Sequence, residues 1–284
     1  MGTSQSSRGS PGGVPMVPPW VPAPSPPLPP PDIPTSDDGK QNGGEQLPQL
    51  QPVPVPKSVP IAPHSRFGGA RLNLGRFARS GDSREMRRGL RHYVRKGYGG
   101  AGIAAHRMAG AGTIAGGLYG ALYTIASGDG ALGSPFDPAL LAGRSAQEVM
   151  DAVVEVVRPA DGTLDSEASR RAIKNALSEL LTRYPDANLL TLSEDQRIYA
   201  IERYVTEDVF IRIELDLGKT IQEKAPTVLE AVARLKDVFN YVKETVSAAF
   251  KRIRDAGHIL KADRISQIAQ AAIRETFQVF EDYT

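Results

Sequence analysis

The sequence predicts an all-α fold, a helical bundle preceded by a long, disordered, Pro-rich N-terminal tail. Two observations lead to this prediction. From residue 145 onward apolar residues recur at the 3.6-residue spacing of helices, and no stretch alternates strictly enough to demand a strand. The first 64 residues instead hold 18 of the 23 prolines. We therefore divide the chain into a tail (1–64), a basic and Gly/Ala-rich helical segment (65–131) and a helical bundle (132–284).

The tail is rich in Pro, Gly, Ser and Gln. Such a segment buries too little apolar surface to offset a chain entropy of about 1–2 kcal/mol per residue, so we expect disorder with local polyproline II character. It carries the single tryptophan, Trp20, among Pro18, Pro19 and Pro22. An indole on a stiffened segment suits insertion into a partner's pocket, and we predict partner docking at these four residues. The alternative is an idle residue in a disordered tail.

The net charge of +2 hides a strong partition along the chain. Residues 1–64 carry three basic and four acidic side chains, whereas residues 65–131 carry eleven basic and three acidic ones. The remainder carries twenty basic and twenty-five acidic side chains. This asymmetry predicts a basic surface that meets an acidic partner: nucleic acid, a protein surface, or the acidic half of this chain.

A short basic helix is expected from a cap at Asp82 or Ser83 to about Lys96, followed by glycines that end it. One face carries Met86, Leu90, Tyr93 and Val94. Around it lies a predicted basic patch of Arg84, Arg87, Arg88, Arg91, Arg95 and Lys96.

The function of the basic segment 66–107 has two interpretations. Arginines at this density can neutralise phosphates while Tyr93 and Tyr98 stack on bases, which is typical of nucleic-acid binding. The same charge can dock on an acidic protein surface. No recognition-helix pattern is legible, which favours protein contact.

Residues 108–126 contain no charged side chain, which raises the possibility of a membrane span and of a small membrane-active effector. The run has many glycines and few large aliphatic residues, so its hydropathy is weak and a closely packed helix in a water-soluble protein is favoured. Gly112, Gly116 and Gly120 are spaced to permit close backbone approach.

Five further helices are predicted, at 145–157, 165–182, 194–223, 227–255 and 262–281. Three of them begin at capping-box pairs, namely Ser145 with Glu148, Ser193 with Gln196, and Thr227 with Glu230. The fourth carries an apolar stripe of Leu229, Val232, Leu235, Val238, Phe239, Val242, Val246, Phe250 and Ile253. VFIRIELDL alternates like a strand, but a helical stripe through it favours helix.

Catalytic signatures are weak. There is no cysteine, the four histidines lie in separate segments, and LDLGKT has Ile213 where a phosphate-binding loop needs glycine. We therefore expect a protein that is not an enzyme and holds no metal or cofactor. The amino terminus has no basic region followed by an apolar run, so we expect a cytoplasmic location.

Gly2 follows the initiator methionine. Removal of Met1 would expose an unhindered α-amino group with a pKa of about 7.7–8.0, part of which is neutral and nucleophilic near pH 7. The start also fits M-G-x-x-x-[ST] with Ser6, a eukaryotic myristoylation pattern. An inert flexible start is the third alternative.

Several stretches together resemble the QatB family, a component of the four-gene bacterial Qat anti-phage system. They are MGTSQSS, VPMVPPWVP, RFARSGDSREMRRGLRHYVRKGYGG with AAHRM, and LDLGKTIQEKAPTVLEAVARLKDVFNYVKETVSAAF. The resemblance implies a non-enzymatic scaffold or adaptor of an antiviral defence complex. It implies three partners: a QatC-like enzyme of the QueC family, a QatA-like ATPase and a QatD-like nuclease.

The resemblance also implies a modification of the tail. Enzymes similar to QatC activate a deazaguanine carboxylate with ATP and deliver it to ammonia. A protein amine in place of ammonia would give an amide between Gly2 and a deazaguanine base, with Thr3 and Ser4 as recognition residues. This covalent adduct would be the only cofactor-like group on the chain.

Overall fold

The computed structural model describes residues 65–255 and 264–283. All of them belong to one compact unit, Val59–Thr284. The predicted tail at 1–64 lies outside the described residues. The division at residue 131 stays a prediction, and helices on both sides of it pack against one another.

The all-α prediction is confirmed, and the described residues contain no strand. The helices in chain order are α1 (Gly68–Ser80), α2 (Ser83–His92), a first π-turn (Tyr93–Tyr98), α3 (Ala101–Arg107), α4 (Ala109–Ser127), α5 (Pro138–Leu141), α6 (Ala146–Val157), α7 (Leu164–Arg183), α8 (Glu194–Ile213), a second π-turn (Glu214–Gly218), α9 (Lys219–Lys224), α10 (Val228–Asp255) and α11 (Ile265–Asp282).

The predicted capping boxes explain where α6 and α8 begin. The Ser145 N–H donates to the Glu148 carboxylate (2.8 Å) and the Ser193 N–H to the Gln196 side chain (2.9 Å), while both serine hydroxyls accept the return bond. Before α10, the Thr227 hydroxyl accepts from the Glu230 N–H and donates to the Glu230 carboxylate. Each cap satisfies backbone groups that a helix start leaves unpaired.

The predicted helix over 194–223 is a continuous rod of α8, the second π-turn and α9. The strand interpretation of VFIRIELDL is therefore wrong. The inserted π-turn advances the helical phase, so that Leu217 and Ile221 are buried while Leu215 is half exposed.

Two helices were not predicted from the sequence. α1 holds three glycines in thirteen residues, which lowers its helix propensity, and it is held by packing of Leu74 and Phe77 in the core. α5 is a single turn capped by the Asp137 side chain. The basic helix begins at Asp82 as expected, because the Asp82 carboxylate accepts the Arg84 N–H at 2.8 Å.

The apolar stripe of α10 is only partly buried. Val238, Val242, Val246, Phe250 and Ile253 lie in the core. Leu229 and Val232 are 80% and 58% exposed, so the core covers the predicted stripe only from Val238 onward.

α4 and α11 pack at glycine positions. A β-carbon on Gly112 would lie 2.9 Å from the Ser266 carbonyl oxygen, and one on Gly116 would overlap the Ser266 hydroxyl. The close approach predicted for these two glycines is confirmed, while Gly120 has no neighbour within 4 Å and plays no such part. Within the described ranges, no helix combines the length and apolar character needed to cross a bilayer.

The glycine contact predicts a difference between two matched substitutions. Gly120→Ala should raise the free energy of unfolding by up to about 1 kcal/mol through helix propensity. Gly112→Ala carries the same propensity gain but presses on the α11 backbone, so it should be less stable than Gly120→Ala by about 1–3 kcal/mol. Chemical denaturation measures both. Equal stability of the two variants would contradict the close packing.

Candidate functional site: the basic helix and its anchor

The predicted site residues fall in two groups. Gly2, Thr3, Ser4, Pro18, Pro19, Trp20 and Pro22 lie outside the described residues. The basic patch lies on α2 and the first π-turn, and it is the part of the predicted site that has a geometry.

Four arginines of the patch share one face of this helix. Arg84, Arg88, Arg91 and Arg95, here called the arginine stripe, are spaced by four, three and four residues. Arg84 and Arg88 have side chains that are 74% and 57% exposed. The ion pair of Arg84 with Asp82, at 3.4 Å, is largely solvated and therefore weak, whereas the carboxylate that pairs with Arg88 at 3.2 Å belongs to Glu85, which is 17% exposed. Arg91 and Arg95 form no ion pair with any described residue, so the face keeps an excess of positive charge.

Arg87 differs from the stripe. Its guanidinium lies 5.5 Å from the ring centroids of both Tyr241 and Tyr283 and is half-buried. Such cation–π contacts attach α2 to α10 and to the end of α11. Arg87 is thus a packing residue, whereas Lys96 is exposed beside Arg95.

The opposite face of the basic helix is buried as predicted, through Met86, Leu90, Tyr93 and Val94. Gly89 and Gly97 admit the side chains of Leu74 and Phe67, because a β-carbon at either glycine would overlap them. The helix therefore has one apolar face fixed to the protein and one arginine face, on which Arg84, Arg88 and Arg95 are exposed and Arg91 is half-buried.

A hydrogen-bonded cluster, here called the tyrosine anchor, joins the two π-turns. The Tyr93 and Tyr98 hydroxyls both donate to Oδ2 of Asp216, at 2.8 and 2.9 Å. The two rings meet edge to face with centroids 5.0 Å apart. Since π-turns place side chains off the regular helical phase, each brings its polar group into the same contact.

Burial raises the pKa of the Tyr93 hydroxyl well above its ordinary value, and burial also raises the pKa of Tyr98. Both phenols therefore keep their protons at neutral pH and act as donors to Asp216. The expectation that Tyr93 stacks on bases is wrong, because its ring is fully buried. The Tyr98 ring is occupied by the guanidinium groups of Arg66 and Arg107, at 5.9 and 5.6 Å.

A second polar feature is a cleft of about 380 Å³, lined in part by Asp208, Ser169 and Arg107. Burial raises the pKa of the Asp208 carboxyl to about 6. The Ser169 hydroxyl donates to it across 3.5 Å, a long hydrogen bond. Sequence reasoning missed this carboxylate because one aspartate inside a helical pattern gives no signal of its burial.

The described ranges contain no group of three or more His, Cys, Asp or Glu residues arranged to hold a metal ion. The described surface carries the positive charge of the arginine stripe, on a helix whose opposite face is packed in the core. The arginine stripe can pair with carboxylates or phosphates, and the tyrosine anchor fixes its orientation.

Fold and site together define an all-helical protein with an exposed basic helix fastened to a bundle. A family model described as QatB, Qat anti-phage system associated protein QatB, matches residues 99–280. The match covers more than half of the chain, so this chain belongs to the QatB family and is a component of a Qat anti-phage system. No curated protein and no solved structure matches it. The family match begins after the arginine stripe, which therefore needs its own functional test.

Proposed function

We propose that this QatB-family protein acts as a non-enzymatic scaffold or adaptor of its Qat system, docking through the arginine stripe on an acidic surface of another Qat component. The observation that carries the proposal is the stripe itself. Four guanidinium groups lie along about 16 Å of one helix face, and the other face is buried in the protein. A one-sided row of charges on a packed helix favours oriented docking, since little backbone freedom remains to be lost on binding.

Two features favour a protein partner over nucleic acid. Asp82 and Glu85 lie on the same helix as the stripe, and each pairs with one of its arginines. Such interspersed carboxylates repel phosphates but suit a protein surface with mixed charges. The second feature is the buried Tyr93, which removes one of the two stacking rings that single-stranded nucleic acid would use.

The second part of the proposal concerns the tail. The Gly2 amine attacks the carbonyl of an ATP-activated deazaguanine carboxylate, the adenylate leaves, the amine loses a proton, and an amide forms. A QatC-like enzyme of the QueC family would supply the activated carboxylate. Thr3 and Ser4 would be read by that enzyme, and Pro18, Pro19, Trp20 and Pro22 would dock to it. Support comes from the resemblance of the opening residues to the family and from the unhindered, partly neutral amine.

A QatA-like ATPase and a QatD-like nuclease are the other proposed partners, in a bacterial cytoplasm. The membrane-effector alternative receives no support from the described helices, among which none is fit to span a membrane. The proposal thus assigns the tail to modification and the basic helix to assembly.

The stripe is tested with a matched pair of triple variants. Arg84→Ala/Arg88→Ala/Arg91→Ala should weaken binding to the co-expressed Qat partners about tenfold or more, since each lost interfacial charge pair contributes up to about 1 kcal/mol. The control is Arg71→Ala/Arg76→Ala/Arg79→Ala, which removes the same charge from exposed positions of α1. Calorimetric titration of the purified components measures both affinities.

Equal weakening by both triples would contradict docking at the stripe, since it would reflect net charge alone. Binding to duplex DNA, measured for the wild type and the stripe variant at several salt concentrations, tests the nucleic-acid alternative. Tight DNA binding that falls steeply with salt and is lost in the stripe variant would replace the protein-docking proposal with the nucleic-acid one.

The modification is tested by intact-mass analysis after co-expression with the QatC-like enzyme. The wild-type chain should gain one deazaguanine-acyl mass, located on the peptide that begins at Gly2. Gly2→Pro still permits removal of Met1 but presents a hindered secondary amine, so its mass should stay unmodified. An unchanged wild-type mass would remove the modification proposal and leave the adaptor role standing.

A further inference from the structure

A second cleft, of about 480 Å³, opens between α7, α8 and α10, and none of its lining residues belongs to the arginine stripe. Its charged lining consists of two carboxylates, Glu179 and Glu202, and three cations, Arg183, Arg203 and Lys243. The formal charge of these five groups is therefore positive by one. The hydroxyls of Tyr199 and Ser247 complete the polar wall.

The carboxylates of the cleft already have donors. Glu179 accepts from the Lys243 ammonium at 2.5 Å and from the Tyr199 hydroxyl at 3.2 Å. Burial, together with the Glu179 charge, raises the pKa of Tyr199 to about 12, so this phenol stays protonated at neutral pH. Glu202 accepts from Arg203 at 2.6 Å and from the Ser247 hydroxyl.

The donors of the cleft are not all satisfied. Arg203 is 2% exposed, and its Nε and Nη1 have no hydrogen-bond partner among the described residues. The nearest carboxylate oxygen to Nη1, on Glu179, is 3.7 Å away, which is too far for a hydrogen bond. Buried guanidinium N–H groups without acceptors are costly, and they favour binding of an acceptor that the described residues do not provide.

Arg183 adds a further cation at the mouth. It is exposed, rests 5.6 Å from the Tyr184 ring centroid, and forms no ion pair with a described residue. The cleft thus combines surplus donors, surplus positive charge and enough volume for a small metabolite. An anion rich in acceptor oxygens would match this lining.

We propose that this cleft is a binding site for a small oxyanion, a phosphate or carboxylate group carried by a metabolite, held by Arg203 from below and by Lys243 and Arg183 at the rim. Guanidinium and ammonium groups recognise such oxyanions by charge-assisted hydrogen bonds, which are the stronger kind. The site is independent of the stripe and of Gly2, so it stands or falls apart from the proposed adaptor role.

The test uses the full chain with two probes, inorganic phosphate and acetate, titrated by calorimetry against sodium chloride of matched ionic strength. Lys243→Met and Arg183→Met should each weaken binding of the effective probe about tenfold or more. Lys236→Met, an exposed lysine on the same helix α10, is the matched control and should bind as the wild type does. Thermal unfolding of each variant confirms that it is folded.

The two probes distinguish the chemistry. Binding of phosphate alone identifies a phosphate-bearing ligand, and binding of acetate alone identifies a carboxylate; either result requires loss in Arg183→Met and Lys243→Met. If neither probe binds, or if both cleft variants and Lys236→Met bind equally well, the oxyanion site is overturned.

Discussion

One carboxylate oxygen joins the first π-turn, at the end of the basic helix, to the second π-turn. Oδ2 of Asp216 receives the hydroxyls of Tyr93 and Tyr98, and no other side chain among the described residues ties the first π-turn to the second by a hydrogen bond. Burial raises the pKa of both phenols above the ordinary value, so both hydroxyls stay protonated at neutral pH and can donate to Asp216. This contact and the buried face of the basic helix together set the direction in which the arginine stripe faces, because the same turn carries Tyr93 on its buried side and Arg95 on its exposed side.

Around the anchor the packing is close and uses small residues. Gly89 and Gly97 let α1 approach the basic helix, and Gly112 lets α11 approach α4. Neither contact tolerates a β-carbon without movement of its neighbour, which is how a Gly-rich segment with few large aliphatic residues still contributes to a core. The adaptor proposal uses this property: charges displayed on a rigid support lose less entropy on binding than charges on a mobile segment.

Much of the helical bundle could be predicted because its signals are local. Capping pairs such as Ser145 with Glu148 mark helix starts within four residues, and the stripe on α10 shows its period over several turns. α1 could not be predicted, because its three glycines are poor helix formers and the packing that holds the helix comes from distant residues. The exposed start of α10 escaped prediction for a related reason. Periodicity shows that Leu229 and Val232 share a face with Val238, but not that the bundle ends before reaching them.

The candidate site, like the fold, could be predicted from the sequence only in part. The basic residues were evident as a charge cluster, and their exposure follows from the apolar face opposite them. The partners of Tyr98 and Arg203 were not evident, since Asp216 lies 118 residues from Tyr98 and the unsatisfied Arg203 donors depend on three helices meeting. A contact between residues so far apart in sequence cannot be recognised from the local sequence around either residue.

The central claim, that the tyrosine anchor fixes the basic helix to the bundle, is tested most directly by amide hydrogen exchange of Asp216→Ala. Two buried phenols then lose their acceptor, and residues 83–98 should exchange about tenfold faster or more while α7 keeps its wild-type protection. Asp237→Ala, on the exposed side of α10, is the control and should leave 83–98 unchanged. Wild-type protection of 83–98 in Asp216→Ala would contradict the claim.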